Sequence, residues 1–282
     1  VTIADRLKTL QRQAGRASVP ATTATSSELR TQLRRLLGTR ERIARRAALA
    51  APAGNEIGPG LHLVEQTLPA NVSSTLALPW DDPTPVERSR LVCFDTETTG
   101  LAGGVGTKAF MIGVAQWRCD RIVTRQLYLT ALAGEQQMLA TFASWLPHDA
   151  IFISYNGRSY DAPLLKGRYR MHRQLHPFEQ RRHVDLLYPV RRAYRGVWAN
   201  CRLQTIEREL LGIVREDDLP GAEAPAAWLS FLRGHSNRNL GRVVEHNRQD
   251  VLTLAVLLDR LVDRMTPTSP ARSMTEADQV AI

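Results

Sequence analysis

The chain has 282 residues, 43% of them hydrophobic, with 37 Lys and Arg against 28 Asp and Glu and a formal net charge of +9. That length buries one substantial core plus an appendage, and no apolar run approaches the eighteen or more residues of a membrane span. Cys93, Cys119 and Cys201 are odd in number and lack zinc-type spacing, which excludes a disulfide scaffold and leads to the expectation of reduced thiols in a cytoplasmic protein.

The positive charge suits a polyanionic partner, and it is unevenly placed. Residues 1–50 hold eleven Lys and Arg against Asp5, Glu28 and Glu41. Only Lys8, Lys108 and Lys166 are lysines, so arginine dominates everywhere, and a cluster of it in sequence is not by itself read as a phosphate site. Residues 1–27 are polar, with a Thr/Ser-rich stretch after Pro20, and are expected to be disordered. Ser27 and Glu28 open a helical pattern through Leu29, Leu33, Leu36 and Leu37 that runs into the basic stretch Arg40–Arg46, predicting a helix over 27–50. It reads either as a nucleic-acid-binding arm or as a solvated helix face. Residues 55–68 alternate as a short hairpin turning at Gly58-Pro59-Gly60, and 79–87, rich in proline and acid, read as a linker. The division is then a basic N-terminal extension over 1–87, a main domain over 88–265 and a disordered tail over 266–282.

Within the main domain the pattern predicts strands at about 91–95, 109–117 and 122–129, a helix at 135–146, a strand at 151–155 and a helix at 159–172. Asp185 ends a short strand or caps a helix at 186–195. Further helices are predicted at 203–211, 224–233 and 240–265. Three consecutive strands followed by alternating helices and strands point to an α/β fold with a mixed sheet.

Three segments concentrate carboxylates. In the first, Asp95 and Glu97 follow the apolar run Leu91-Val92-Cys93 and project to one side of a strand, about 6.5–7 Å apart. Such a pair repels unless a cation sits between its members. A solvated strand end is the bland alternative, but acids are depleted in strands. In the second, Asn156-Gly157 reads as a turn, Ser159 as a helix N-cap, and Asp161 falls in the first helical turn with Pro163 close behind. Asp161 serves equally well as a ligand or as a charge favouring the helix dipole. In the third, His246 and Asp250 share a helix face. Asp250 sits amid Val243, Leu254, Leu257 and Leu261, where a carboxylate is costly unless paired or bound to metal. Arg248 points away on the wheel; a buried partner such as Arg202 or Arg208 stays open. The glycines Gly103–Gly106 lack phosphate-loop spacing and join two strands, so they read as a hairpin giving a nucleotide backbone room. Lys108 at its exit faces phosphate or solvent.

Taken together, Phe94-Asp95-Thr96-Glu97-Thr98-Thr99-Gly100-Leu101, then Asn156-Gly157-Arg158-Ser159-Tyr160-Asp161, then His246-Asn247-Arg248-Gln249-Asp250 resemble the three exonuclease motifs of the DEDD superfamily. The segments Gly103–Phe110, His183–Leu187, Cys201–Gly212 and Glu245–Asn247 resemble its YprB-type branch more specifically. The similarity covers about 88–265, and weakly 55–70. It implies a ribonuclease H-like fold, with a mixed β-sheet flanked by helices. It also implies a 3′–5′ exonuclease acting on DNA or RNA through two divalent cations, Mg²⁺ or Mn²⁺. By that resemblance Asp95 bridges both ions, Glu97 and Asp250 complete the water-activating site, and Asp161 holds the second ion. His246 is the candidate general base. The family usually carries His-x4-Asp or Tyr-x3-Asp in its third motif, whereas this chain has His246-x3-Asp250. Thr98, Lys108, Asn156, Tyr160 and Asp185 are candidates for touching substrate. Tyr155, Tyr160 and Trp198 either stack on a base or pack in the core, the core being expected for the first two. The alternative from another class is a non-catalytic nucleic-acid-binding module on the same fold, and the presence of all four carboxylates weighs against it.

Overall fold

The computed structural model describes residues 54–100 and 106–266. The expected disorder over 1–27, the helix over 27–50, most of the glycine cluster Gly103–Gly106 and nearly all of the tail lie outside the described residues.

Two hairpins open the described chain. β1 (Asn55–Gly58) and β2 (Leu61–Pro69) pair antiparallel across the expected Pro59-Gly60 turn. β3 (Thr75–Leu78) and β4 (Asp82–Glu87) form a separate two-stranded sheet. The stretch read as a linker over 79–87 is therefore largely strand. Leu76, Leu78 and Val86 are buried and draw it onto the core, and its prolines are tolerated because β4 is an edge strand.

β5 (Leu91–Thr98), β6 (Ala109–Arg118) and β7 (Arg121–Leu129) make an antiparallel meander. β8 (Ile151–Ser154) and β9 (His183–Asp185) add in parallel on the other side of β5. β2 pairs with β7 from Leu61↔Leu129 to Pro69↔Arg121, which gives a seven-stranded sheet in the order β1-β2-β7-β6-β5-β8-β9. The first hairpin, assigned by sequence to the extension, thus belongs to the central sheet.

The helices are α1 (Glu135–Ser144), α2 (Asp161–Met171), α3 (Leu187–Tyr194), α4 (Leu203–Ile206, continued by a π turn to Leu211), α5 (Ala224–Leu232) and α6 (Arg238–Met265). α2 starts later than expected. Ser159 does not cap it; its N–H bonds Asn156 O in a preceding turn.

β5 is buried on both faces, and its side chains alternate between two cores. Val92 and Phe94 join a cluster with Phe142, Phe152 and Leu165, while Leu91 and Cys93 join one with Val251, Leu254 and Leu258 of α6. By the same alternation Asp95 and Glu97 project toward α6, and Thr96 toward α2. α6 lies close on the sheet because Gly113 of β6 has no side chain. A Cβ there would fall 2.1 Å from Asn247 Oδ1.

Candidate active site

Topology decides where the acids meet. β5 lies where the strand order reverses, and β8 pairs with it only as far as Cys93↔Ile153. Beyond that point the two strands part and leave a crevice at their carboxyl ends, the usual ligand position of open α/β sheets. A bulge between Glu97 and Thr98 in the pairing with β6 bends the strand at the same place. The crevice is a cavity of about 300 Å³ lined by Asp95, Thr96, Thr98, Asn156, Tyr160 and Asp161 among others.

The acids arrive from three elements, Asp95 and Glu97 from β5, Asp161 from α2 and Asp250 from α6. Asn247 Nδ2 of α6 donates to Asp95 Oδ2 at 2.9 Å. Asn247 is fully buried, and its Oδ1 accepts from Gln126 Nε2 at 3.1 Å, a nitrogen that also donates to Val244 O at 2.7 Å. Asp95 is thus held by a relay of two buried amides. Sequence reasoning passed over both, although Asn247 stands midway between the core positions Val243 and Val251. On the other face Thr96 Oγ1 donates to Asp161 Oδ1.

Electrostatics set this group apart. Burial lifts the Asp95 carboxyl well above its ordinary range, and the charges of Asp250, Asp161 and Glu97 lift it further, against the Asn247 hydrogen bond. Glu97 is raised by burial and then by Asp250 and Asp161, with Arg215 opposing. Asp161 is pushed up to about 6, chiefly by burial, while its bond from Thr96 works the other way. Asp250 is raised by burial, with His246 and Arg215 opposing.

Arg215 supplies the partner that Asp250 needs, in place of Arg202 or Arg208, which are both exposed. Its guanidinium also grips Glu207, Nε to Oε2 and Nη2 to Oε1, both at 2.7 Å. His246 sits in the same group. Its Nδ1 lies 2.7 Å from Asp218 Oδ1, and its Nε2 lies 3.6 Å from Asp250 Oδ2.

The remaining candidates divide. Thr98, Asn156 and Tyr160 line the cavity. Asn156 holds a left-handed φ of +65°, which Asn tolerates. Tyr160 was expected in the core but is 57% exposed, because α2 begins after it. Tyr155 packs as expected, its hydroxyl donating to Cys201 O. Lys108 is not free for phosphate, since its Nζ lies 3.2 Å from the buried Glu135 carboxylate. Asp185 is buried, and its two oxygens accept the backbone N–H groups of Asn156, Arg158 and Leu187. It braces the 156–158 turn.

A model of the RNase H superfamily matches residues 92–262, more than half of the sequence. The chain belongs to the RNase H superfamily. This RNase H superfamily chain is 34% identical over 185 residues to the uncharacterized protein YprB of Bacillus subtilis (strain 168), covering 65% of its own length and 45% of that relative. It therefore spans less than half of the curated relative it matches. A product-bound exonuclease I structure aligns over 57% of this chain and 47% of that one, with 15% identity and a TM-score of 0.37.

Among the described residues no three Asp, Glu, His or Cys side chains converge as a preformed metal cage. Asp95, Asp161 and Asp250 are each turned toward a protein partner, Asn247, Thr96 and Arg215 respectively. The donor set nonetheless fits a hard divalent cation. It is all carboxylate oxygen, and burial raises all four carboxyls, with the neighbouring acids adding to the rise at Asp95 and Glu97, a cost that a bound cation would offset.

Proposed function

We propose that the chain is a divalent-metal-dependent nuclease, and specifically a 3′–5′ exonuclease on DNA or RNA. The observation that carries this reading is the set of four buried carboxylates that β5, α2 and α6 bring within electrostatic reach of one another, with Asp95 and Asp161 lining the crevice. Asp95, Glu97, Asp161 and Asp250 would hold Mg²⁺ or Mn²⁺. Bound there, such ions supply charge neutralisation at a phosphodiester and a lowered pKa for attacking water.

The chain's own residues supply the rest. The Gln126–Asn247 relay fixes one oxygen of Asp95 and leaves the other toward the cavity. Thr98, Asn156 and Tyr160 offer hydroxyl and amide groups, and one exposed ring, to a terminal nucleotide. With His246 Nδ1 donating to Asp218 in preference to accepting from Arg215 Nη1, 3.2 Å away, the Nε2 lone pair would lie on the Asp250 side and take the proton of water. Hydrolysis with 5′- and 3′-labelled DNA and RNA in Mg²⁺ or Mn²⁺ tests the proposal. Mononucleotides should leave from a free 3′ end, and a blocked 3′ end or a closed circle should resist.

One observation favours a second reading. Arg215 already neutralises Asp250, as it would in a non-catalytic nucleic-acid-binding module where an arginine replaces the cation. The two readings part on melting temperature, since a metal that binds the folded state must stabilise it. Mn²⁺ should raise the melting temperature of the nuclease and leave the module unchanged.

A further inference from the structure

A second cavity, of about 370 Å³, lies on the loop between α3 and α4. Its lining includes Arg191, Arg195, Arg202, Trp198 and Asn200 and contains no carboxylate. The three arginines are exposed, and none has a carboxylate partner among the described residues, whereas Arg88, Arg125, Arg168, Arg182, Arg215 and Arg248 all do. Unopposed positive charge in a concave site is what an anion requires.

The loop is built to a fixed shape. Gly196 turns it with a φ of +82°, and Arg195 and Trp198 form a β-bridge. Asn200 Oδ1 accepts from Arg202 N at 2.9 Å and from Thr205 Oγ1 at 2.7 Å. Trp198 stacks on Tyr194, with ring centroids 4.2 Å apart and planes at 14°, and stays partly exposed to the cavity. An indole stacked on Tyr194 and partly exposed where it lines the cavity suits an unpaired base.

One residue ties this loop to the crevice. Tyr155 Oη donates to Cys201 O at 2.5 Å, and the next residue, Asn156, lines the carboxylate cavity. The charge of Arg191 also acts on the Tyr155 hydroxyl. The two cavities therefore flank the same 155–156 segment at the end of β8.

We infer that Arg191, Arg195, Arg202 and Trp198 form a binding site for single-stranded nucleic acid, taking phosphodiesters on the guanidinium groups and an unpaired base on the indole. The inference rests on the nuclease reading for its direction: with a 3′ end in the crevice, this site receives nucleotides on the 5′ side of the scissile bond. A duplex is excluded because its bases are not free to stack.

The test is fluorescence anisotropy of labelled (dT)20 and (rU)20 with the full chain in EDTA, where no cleavage intervenes. Arg191→Gln/Arg195→Gln/Arg202→Gln should lose about tenfold or more in affinity, with the slope of log affinity against log salt shallower by about 2. Arg118→Gln/Arg260→Gln/Arg264→Gln removes the same charge elsewhere and should lose far less. Trp198→Leu keeps an apolar contact with Tyr194 and should lose about fivefold or more. Equal losses in the two triple variants would show a response to net charge alone and overturn the site. If the wild type releases no nucleotide in Mn²⁺ while the contrast between the triples persists, the nuclease reading fails and the binding site stands. If the wild type cleaves and the triples bind alike, the reverse holds.

Discussion

Two buried charge clusters lie on either side of this molecule's logic, and they behave in opposite ways. Around Glu135 at the start of α1, one carboxylate meets Arg168 at 2.5 Å, with Lys108 Nζ at 3.2 Å and His172 Nε2 at 3.1 Å. Burial alone would raise the Glu135 carboxyl, yet these partners together hold it below its ordinary range. At the end of β5, Asp250 divides the cation Arg215 with Glu207 and Asp218, no cation pairs with Asp95, Glu97 or Asp161 among the described residues, and the pKa values of all four acids rise. Burial is the largest single influence in both places. What separates a structural ion cluster from a candidate reactive one is the balance of opposite charge within a few ångströms.

The largest expected effect removes the centre of the unbalanced cluster. Asp95→Asn should take nuclease activity to background and abolish stabilisation by Mn²⁺, while the metal-free protein melts no lower than wild type, because a repelling charge is removed and an oxygen remains to accept from the buried Asn247 Nδ2. Full activity at matched purity would erase the distinction between the clusters. Next comes His246→Ala, expected to lower the rate at saturating metal and substrate by about 10²–10⁴-fold while the protein still gains melting temperature with Mn²⁺. A variant within a few-fold of wild type would end the proton-transfer role and leave the carboxylates intact.

The balanced cluster should answer in stability instead. Glu135→Gln keeps the shape but removes the negative charge that the buried Arg168 meets, which should cost about 3–5 kcal/mol in denaturant unfolding. Mn²⁺-dependent stabilisation should persist in whatever fraction stays folded. Loss of metal response without loss of stability would mean that Glu135 belongs to the reactive group after all.

Much of the sheet was legible because it is written in local pattern. The apolar runs of β5, β6, β7 and β8 are bounded by turns, and the long stripe of α6 carries Asp250 where a carboxylate demands an explanation. The misreadings share a cause: they depend on contacts far apart in sequence. Pro83 and Pro85 suggested a linker, and only the pairing of Leu76 with Val86 makes that stretch a strand. Residues 55–68 read correctly as a hairpin, but nothing local shows that β2 lies along β7. Arg215 comes from an irregular loop with no periodicity, 35 positions before Asp250, so the sequence offers no reason to prefer it over Arg202 or Arg208. Lys108 looked free because its partner Glu135 is 27 positions away. The candidate acids could be read from motifs, whereas the groups that hold or neutralise them could not.

The smallest effect is the most discriminating for the idea of uncompensated charge, and its sign can be fixed beforehand. The Asp161 carboxyl moves from an ordinary 3.8 to about 6 in the folded chain. A carboxyl raised on folding contributes stability below its unfolded pKa and loses it as pH climbs through the folded value. In EDTA, then, wild type should fall behind Asp161→Asn as pH rises from 4 to above 7. The gap should approach, at most, about 3 kcal/mol. Asn keeps an oxygen to accept from Thr96 Oγ1, so the hydrogen bond does not confound the comparison. The neighbouring acids push in the same direction, because removing the Asp161 charge also eases the ionisation of Asp95 and Glu97. An ion-paired carboxylate would give the opposite slope, with wild type gaining on the variant as pH rises. Adding Mn²⁺ at pH 7.5 should restore or reverse the gap in favour of wild type, since the ion offsets the repulsion that the variant lacks. A gap that stays flat between pH 4 and pH 8 would show that Asp161 is satisfied by Thr96 alone, and would move it from the reactive cluster to the structural one.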